Sequence, residues 1–514
     1  MSAHKSHKQK KSKKPSIPEP PGIKLHKLHL INVCLLILVG TILYFNTLNA
    51  PFLFDDIRNI LESSWVKTPE NFLNHYFEDE GFYKHRIIPY GTFALNWHFN
   101  RDSSLGYHIV NLAIHILNSL LVYLITLKLL SIKVNNLNKG SFPFLNVNIR
   151  DERDRVLLSL AVALLFISHP IQTNAVIYIV QRIEAIMAFF YLLCFYLFIK
   201  AVHLPRWGPK KAILYTGIFG AFIMALYSKE VARSLPLLMI VYYGIFGLKR
   251  RKISLIRGML LLLSAGSIMG LSAYILYSSG FHSSFPHWSG PHLGFRWGIK
   301  ENLYTQANVI MEYIKLLVLP LPGKLNIDHD FPLYKSIFQF PTYLSVLTII
   351  ALNLFALLKA KKFPLFCFCI LWWFITLIPS SSIWPIWDIM VEYRTYLPGF
   401  AFYLFLVLSI HQVFFYLADN RYRVISKHIR LIEGTLLTLL VLSYLWGTYE
   451  RSFVWRDPIS LWMDSSKKSP HKARPHNNLG MAYFKKGRLD EAIAQYEQTL
   501  AISPNYAKAH NNLG

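Results

Sequence analysis

The sequence predicts an all-α fold: a polytopic membrane domain of about eleven transmembrane helices, followed by a C-terminal helical-repeat module. Three observations lead to this prediction. Of the 514 residues, 53% are hydrophobic and only 16% are charged, and the mean hydropathy is +0.32, which is typical of membrane proteins rather than of soluble domains. Apolar runs of roughly 20 residues, long enough to cross a bilayer, recur along the chain. The C-terminal segment repeats itself after 34 residues, a period that is typical of helical solenoids.

The chain opens with a basic segment that contains several prolines. Residues 1–27 carry eight lysines and one acidic residue, a composition that predicts a disordered cytoplasmic tail. The apolar run from Leu28 to Leu48 is longer than the hydrophobic region of a signal peptide, and no small-residue cleavage site follows it. We therefore expect an uncleaved first span whose amino terminus lies in the cytoplasm.

Residues 28–449 form the predicted membrane domain. The net charge of the chain is +26, and the basic residues cluster in the short loops that the span order places in the cytoplasm. The positive-inside rule explains this distribution, so no nucleic-acid partner is expected. Large outer segments are predicted at 49–105, 279–340 and 380–396, and the stretch 303–322 is expected to lie on the outer surface as an amphipathic helix. The predicted spans are residues 28–48, 106–131, 156–177, 183–201, 212–228, 231–248, 257–278, 341–358, 363–379, 397–417 and 431–449.

The C-terminal repeat has the pattern of tetratricopeptide (TPR) repeats. Residues 475–480 read P-H-N-N-L-G and residues 509–514 read A-H-N-N-L-G. Tyr483 and Tyr496 stand where the TPR pattern has large residues. The pattern predicts helix–turn–helix units in which such residues fill the space between neighbouring helices. We expect residues 450–514 to form a TPR module on the outer side. Since a lone repeat cannot bury its apolar face, we expect a longer chain or a partner protein to complete it.

An acidic pair, Asp55 and Asp56, directly follows the first span in the sequence F-D-D-I-R. Adjacent carboxylates at a membrane surface repel each other and lose solvation. The simpler interpretation is a solvated loop in which an aspartate caps a helix. A partly desolvated carboxylate at a helix end, however, has a raised pKa and can act as a general base. We predict Asp55 and Asp56 as the catalytic residues.

Three cations are predicted to lie on the same side of the membrane as the acidic pair. Arg182 follows a span that is broken near its outer end, Lys229 lies in a tight turn between two spans, and Arg394 opens the tenth span. Simpler interpretations are a snorkelling arginine, a hairpin ion pair and an interfacial anchor. Since cations at a membrane surface suit a phosphate-bearing lipid, we predict that these three bind the phosphate of a donor. The predicted supporting residues are Arg58, His85, Arg86, His169, Glu184, Glu230 and Glu392.

The sequence offers one candidate metal site. Asp328, His329 and Asp330 are adjacent in the third outer segment and could hold a divalent metal. The simpler interpretation is a polar loop, because three adjacent side chains seldom converge on one ion. The four cysteines all lie inside apolar runs and show no zinc-ligand spacing. No cofactor is assigned beyond this candidate metal.

Several short motifs, taken in their order along the chain, resemble a known family. They are F-D-D-I-R, S-H-P-I-Q-T-N-A-V-I-Y-I-V-Q-R, Y-S-K-E, N-I-D-H-D-F-P, E-Y-R-T-Y-L-P and the C-terminal repeats. Their order is similar to that in the polytopic TPR proteins, whose eukaryotic members are the transmembrane, TPR-containing protein O-mannosyltransferases and which have many bacterial relatives. The resemblance covers roughly residues 28 to 514.

The resemblance implies the GT-C fold and a glycosyltransferase that depends on a dolichyl- or polyprenyl-phosphate sugar. In that class an acidic residue of the first outer loop acts at the active site, and transfer inverts the anomeric carbon. Asp55 and Asp56 match the acidic motif, and Arg182, Lys229 and Arg394 lie in matching motifs. The implied partners are the lipid-linked sugar donor, membrane lipids, and a protein acceptor or partner held by the TPR module.

The same resemblance implies a location and shows one departure. A bacterial protein would lie in the inner membrane with its TPR module in the periplasm, and a eukaryotic one in the endoplasmic reticulum membrane with the module in the lumen. Mannose or another hexose is the implied sugar. Many relatives have glutamate where this chain has Asn174, which puts any role for a carboxylate there in doubt.

Two other classes remain open. A membrane-anchored TPR scaffold without catalysis would use the spans only as an anchor, for which eleven spans and broken polar helices are excessive. A transporter would usually carry inverted repeats and charged residues at the membrane midplane, whereas the charged residues here gather at the outer ends of the spans.

Overall fold

The protein is described from a computed structural model that covers residues 24–78, 86–132, 147, 149, 151–247, 298–381, 385, 386, 388–420 and 426–514. Most of the basic tail, the predicted span 257–278 and His85 lie outside the described residues. Within them the chain is helical and contains no β-strand. The α-helices are α1 (Leu25–Tyr44), α2 (Pro69–Glu78), α3 (Ile87–Asn100), α4 (Ser104–Leu130), α5 (Glu152–Ser168), α6 (Thr173–Val176), α7 (Arg182–Val202), α8 (Pro209–Leu226), α9 (Leu235–Tyr242), α10 (Ile299–Val318), α11 (Thr342–Lys359), α12 (Pro364–Leu377), α13 (Tyr396–Asn420), α14 (Ser426–Phe453), α15 (Pro458–Lys468), α16 (Ala473–Lys485), α17 (Leu489–Ile502) and α18 (Ala507–Leu513).

In the part of the chain that the structure describes, seven helices are long and apolar enough to cross a membrane, or eight if α5 and the bent segment after it form one span. The predicted spans 231–248 and 363–379 correspond to shorter elements. Helix α9 has 8 residues and continues as a π-helix over Tyr243–Gly247, and α12 has 14 residues. The all-α membrane class is confirmed, whereas the number of eleven spans stays a prediction.

Buried polar side chains join the central helices of the bundle, where α4 packs against α5 and α7. The Tyr396 hydroxyl on α13 lies 2.8 Å from His115 Nδ1 and accepts a hydrogen bond from Asn118 Nδ2 at 3.0 Å. Asn118 also donates to the Ala185 carbonyl of α7 at 2.9 Å. Because buried polar groups are costly unless they are hydrogen-bonded, these bonds favour one arrangement of α4, α7 and α13.

The predicted break at His169-Pro170 is confirmed. Helix α5 ends at Ser168, and the following segment Pro170–Val176 is turned by 49°. Proline lacks the N–H that a continuing helix would need, and His169 Nε2 lies 3.0 Å from the Leu317 carbonyl oxygen of α10. The bend carries the chain across the end of the bundle at which α1 and α5 end and α4 and α7 begin. We call this end the loop face.

Helix α10 buries a polar face against a segment of the loop face. Gln306 donates to the Ile389 carbonyl at 2.9 Å. The Tyr313 hydroxyl donates to the Val391 carbonyl at 2.9 Å and accepts the Val391 N–H at 3.1 Å. The predicted amphipathic helix at 303–322 is thus a helix in the structure, and it holds the chain just before α13. Its position on the membrane surface stays a prediction.

The C-terminal helices follow the predicted TPR pattern. Helices α15 to α18 pack on one another in chain order. Trp462, Leu479, Tyr483 and Tyr496 are buried between them, and Gly480 on α16 lies directly against Tyr496 on α17. The large side chains therefore fill the gaps between successive helices, as the pattern requires.

We expect Gly480→Ala to destabilise the C-terminal module by about 1–3 kcal/mol, because the added methyl overpacks a filled contact. Its Cβ would lie 2.7 Å from Tyr496 Cε1 and 3.1 Å from the Ala492 carbonyl oxygen. Thermal unfolding of the full chain in detergent, with protease resistance of the module as a second measure, tests this. Gly434→Ala in α14 is the control, since its Cβ would meet no atom within 4 Å. Equal effects of the two substitutions would contradict the expectation.

Candidate active site

The loop after α1 changes direction at Phe54. Its φ is +51°, in the left-handed region that side chains with a Cβ rarely adopt. The Phe54 ring packs against two aromatic residues, with centroid distances of 5.2 Å to Trp462 of α15 and 6.1 Å to Tyr178. These contacts hold a strained backbone in place. The two aspartates that follow have very different surroundings.

Asp56 is a buried anchor. It is 1% exposed, and each of its carboxyl oxygens accepts a backbone N–H: from Leu53 at 3.0 Å and from Val180 at 2.7 Å. The first bond closes the loop on itself, and the second ties the loop to the segment that leads into α7. Burial raises the pKa of Asp56 to about 8, although these backbone N–H groups act in the opposite direction.

Asp55, in contrast, is accessible to solvent. Its backbone N–H donates to the Tyr178 hydroxyl at 3.1 Å. Desolvation by the surrounding protein raises the pKa of its carboxyl group, and the nearby Asp388 adds to this, whereas the Tyr178 hydroxyl, Arg474 and Arg58 act against it. The pKa of both aspartates is raised, so exposure separates them, and the accessible Asp55 is the one that suits a general base.

We expect Asp56→Asn to destabilise the protein by about 1–3 kcal/mol. An asparagine offers one acceptor oxygen, so its NH₂ group would face the N–H of either Leu53 or Val180 and leave that donor unpaired. Thermal unfolding in detergent measures the effect. Asp55→Asn is the matched comparison, because its carboxyl group is open to solvent. If the two variants unfold at the same temperature, Asp56 is not an anchor.

Arg182 is enclosed at the start of α7. It is 0% exposed, and its guanidinium donates to Asn111 Oδ1 at 2.6 Å, to Asn96 Oδ1 at 2.6 Å and to the Tyr107 carbonyl at 2.9 Å. Its Cζ also lies 4.6 Å from the centroid of the Phe93 ring. Protein groups thus occupy this cation from several sides, and its predicted contact with a donor phosphate stays a prediction.

Lys229 forms a buried ion pair. Its Nζ lies 2.6 Å from Glu184 Oε2 and 4.9 Å from the centroid of the Tyr393 ring. The next residue, Glu230, pairs with Arg86 at 3.4 Å. Four of the predicted residues therefore meet in two neighbouring pairs, which join α3, α7 and the turn after α8 at the loop face.

Arg394 pairs with no acidic residue in the described part of the chain. It is 5% exposed, and its guanidinium donates to the carbonyls of Asp388 at 2.8 Å and Ile389 at 3.2 Å. Its charge is not neutralised by a salt bridge there. Arg182 likewise bonds only neutral groups in the described chain, so Lys229 is the one of the three predicted cations whose charge is paired with an acid there.

The three residues 328–330, predicted as a candidate metal site, each contact a different partner. Asp328 accepts two bonds from Arg474 at 2.6 Å each, His329 Nε2 lies 2.9 Å from Glu392 Oε1, and the Asp330 N–H donates to Ser469 Oγ at 3.0 Å. Over the described ranges no group of three His, Cys, Asp or Glu side chains is arranged to hold a metal. The polar-loop interpretation describes this segment better than the metal site.

The remaining predicted residues lie around this region with structural partners. Arg58 is exposed and close enough to Asp55 to lower its pKa. Glu392 is 1% exposed, and its Oε1 also accepts the Asn326 N–H at 2.5 Å. His169 is buried at the bend described above. The structure thus gathers the described candidates on the loop face, while their functional roles stay predictions.

Sequence reasoning missed three residues of this site. Tyr178 accepts the Asp55 N–H, Asp388 carries the carbonyl that holds Arg394, and Arg474 of the TPR module acts electrostatically on Asp55. Arg474 could not have been found, because it resembles any other basic residue of a helical repeat. Tyr178 lies within a recognised motif, so its position near the broken span was an available signal.

The fold and the site together define a polytopic membrane protein whose first loop carries the candidate reactive aspartate and whose chain continues into TPR helices. The sequence model of the TPR repeat matches residues 480–514. The chain is 23% identical over 496 residues to a protein O-mannosyl-transferase of Caenorhabditis elegans, covering 92% of this chain and 63% of that protein.

Two further relatives carry the same description. The protein O-mannosyl-transferase Tmtc3 of Drosophila melanogaster is 22% identical over 530 residues, covering 92% of this chain and 55% of that protein. The human protein O-mannosyl-transferase TMTC3 is 22% identical over 539 residues, covering 94% of this chain and 52% of that protein. The predicted resemblance is confirmed, and the chain spans about half to two thirds of the length of these relatives.

Proposed function

We propose that this chain is a membrane glycosyltransferase that transfers a sugar, mannose or another hexose, from a polyprenyl-phosphate donor to a hydroxyl group of a protein. The observation that carries the proposal is the arrangement at the loop face. An accessible aspartate, Asp55, lies beside Asp388, and the carbonyl of Asp388 holds Arg394, a cation without a salt bridge among the described residues. The names of the relatives, which are protein O-mannosyl-transferases, favour the same reaction.

In the proposed reaction Asp55 is the general base. It takes the proton of the acceptor hydroxyl while the hydroxyl oxygen attacks C1 of the sugar from the side opposite the phosphate. The bond between C1 and the phosphate oxygen breaks, and its electron pair leaves with the polyprenyl phosphate. Because phosphate leaves without a strong acid, one base suffices, unlike the two carboxyl groups of glycoside hydrolases. The anomeric configuration is inverted.

The cations of the loop face would hold the donor phosphate. Arg394 is the first candidate, because it forms no salt bridge in the described chain and its guanidinium donates to main-chain carbonyls at the loop face, whereas that of Arg182 is enclosed by Asn96 and Asn111. Lys229 would contribute while paired with Glu184. Arg182 would contribute through the longer-range field of its charge, because Asn96 and Asn111 occupy its guanidinium. A partly enclosed site strengthens such charge interactions, since less water screens them.

The proposal places the loop face on the outer side of the membrane: the periplasmic side in a bacterium, or the lumenal side of the endoplasmic reticulum in a eukaryote. A lipid-linked donor would then reach Asp55 sideways from the outer leaflet. The TPR module would hold the acceptor protein or a partner, as the concave surfaces of helical solenoids commonly do.

The test is transfer by the purified full chain in lipid nanodiscs. Radiolabelled polyprenyl-phosphate mannose and glucose are supplied as donors, with unfolded and folded outer proteins of the host as acceptors. We expect label on protein hydroxyl groups and release of polyprenyl phosphate. No transfer from any donor, together with unchanged glycans but altered protein complexes in a deletion strain, would instead identify a TPR scaffold without catalysis.

A further inference from the structure

The beginning of α16 in the TPR module is bonded directly to the loop face through four charged residues. Arg474 at the start of α16 binds Asp328 with two nitrogens, at 2.6 Å each, and Asp388 Oδ1 at 2.6 Å. Lys472 pairs with Asp328 as well. We call Asp328, Asp388, Lys472 and Arg474 the docking cluster. The planar guanidinium can bridge two carboxylates, which a point-like ammonium cannot do with the same geometry.

The docking cluster is more than a surface ion pair. Asp328 is 1% exposed. Burial acts to raise its pKa, but the bonds and charges of Arg474 and Lys472 outweigh this and leave the pKa lowered. Ser469 strengthens the same contact, because its hydroxyl donates to the Asp328 carbonyl at 2.7 Å. The side chains of Lys472, Arg474 and Asp388 are 30%, 28% and 28% exposed, and several bonds to one buried carboxylate fix geometry better than a single exposed pair, which contributes little.

Arg474 lies against residues next to the candidate base and next to the candidate phosphate-binding cation. Its Cζ is 5.4 Å from the centroid of the Phe54 ring, and its charge acts on Asp55, the residue after Phe54. On its other side it holds the Asp388 side chain, whose main-chain carbonyl accepts from Arg394 at 2.8 Å. One side chain of the TPR module therefore acts electrostatically on Asp55 and bonds the residue whose carbonyl holds Arg394.

We propose that Arg474 is a positioning residue for sugar transfer: by bridging Asp328 and Asp388 it fixes the segment that orients Arg394 and sets the charge beside Asp55, so that docking of α16 completes the active site. This inference rests on the proposed function. The repeat module is then part of the active site as well as a surface for a partner. Substitutions in the docking cluster should therefore lower the rate of sugar transfer.

The pH dependence of transfer separates positioning from simple attachment. The charged and titratable groups facing Asp55 are Asp56, Arg58, Tyr178, Asp388 and Arg474. Asp55 must be ionised to accept a proton, so kcat/KM rises as the pH rises through its pKa. Arg474→Ala removes a cation and leaves Asp388 unneutralised, and both changes raise that pKa. We expect the acidic limb of the profile to move to higher pH and kcat/KM to fall about 10- to 100-fold.

Three variants sharpen this measurement. Arg474→Lys keeps the charge but loses the bridge, so the acidic limb should stay near that of the unmodified protein while turnover remains reduced. Asp388→Asn removes a negative charge, so the limb should move to lower pH, opposite to Arg474→Ala, while the Arg474–Asp328 bonds keep the module docked. Arg488→Ala in the same module is the control, because Arg488 pairs with Glu491 at an exposed position and should leave activity unchanged.

A second measurement does not depend on catalysis. Hydrogen exchange at residues 326–330 and 388–391 reports docking, and it should accelerate in Arg474→Ala but not in Arg488→Ala. If the unmodified protein transfers no sugar, the proposed function has failed, whereas accelerated exchange still supports the docking contact. Unchanged exchange and an unchanged pH profile in Arg474→Ala would overturn the inference. A profile that shifts the same way in Arg474→Ala and Asp388→Asn would overturn it too.

Discussion

Asp55→Asn is expected to lower the rate of sugar transfer by about 100- to 10,000-fold, the usual contribution of a general base. The asparagine keeps the size of the side chain and the backbone bond to Tyr178, but it cannot accept the proton of the acceptor hydroxyl. Because the Asp55 side chain is open to solvent, the substitution should leave folding and membrane insertion unchanged. Initial rates with radiolabelled donor, at saturating and at limiting acceptor, measure the effect on kcat and on KM separately.

The control for this prediction is Glu62→Gln, which neutralises another exposed acid of the same loop and should retain full activity. The double variant Asp55→Asn/Asp56→Asn should also be inactive, but it mixes loss of the base with loss of the anchor. Full transfer by Asp55→Asn would exclude Asp55 as the base. If activity then disappears only in a correctly folded Asp56→Asn protein, the base is Asp56.

Lys229→Met is expected to destabilise the protein by about 3–5 kcal/mol, because it leaves a buried carboxylate without its partner. The side chains of Lys229 and Glu184 are 10% and 2% exposed, and the charged atoms lie 2.6 Å apart. Replacing both partners, in Glu184→Gln/Lys229→Met, should recover most of the loss, since no unpaired charge then remains. Unfolding by sodium dodecyl sulfate in mixed micelles gives the free energies for such a comparison.

The matched control is an exposed ion pair in the same protein. Lys315 and Glu312 lie 2.9 Å apart with 72% and 33% of their side chains exposed, so Lys315→Met should cost less than about 1 kcal/mol. If Lys229→Met costs no more than Lys315→Met, the pair is hydrated in the folded protein. A free lysine at that position would then be a stronger candidate for binding the donor phosphate.

The sequence could predict the architecture because its signals are local. Apolar runs mark spans, His169-Pro170 marks the bend, and the 34-residue offset marks the helix pairs. The position of the acidic pair after α1 was equally visible. A run of apolar residues does not reveal, however, whether it forms one long helix or a short helix with a π-helical end, as α9 does.

The distinction between Asp55 and Asp56 could not be predicted, because it depends on contacts that are distant in sequence. Asp56 is an anchor since Val180 lies beside it in the fold, whereas the neighbouring Asp55 stays exposed. The partners of the cations are equally non-local: Lys229 meets Glu184, and Arg474 meets Asp328. Residue type and spacing indicate which side chains could act as a base or bind phosphate. Tertiary packing decides which of those side chains are already engaged by other protein groups.

The way α16 is held has an evolutionary consequence. Its beginning is bonded to the loop face, whereas the hydrogen bonds of α17 and α18 among the described residues stay within the TPR module. Lineages could therefore lengthen, shorten or diversify the array beyond this point without altering the proposed active site. Acceptor preference and the rate of transfer would then evolve at different speeds. Residues of α16 would be constrained by the proposed active site, and residues of later repeats by the proteins that they bind.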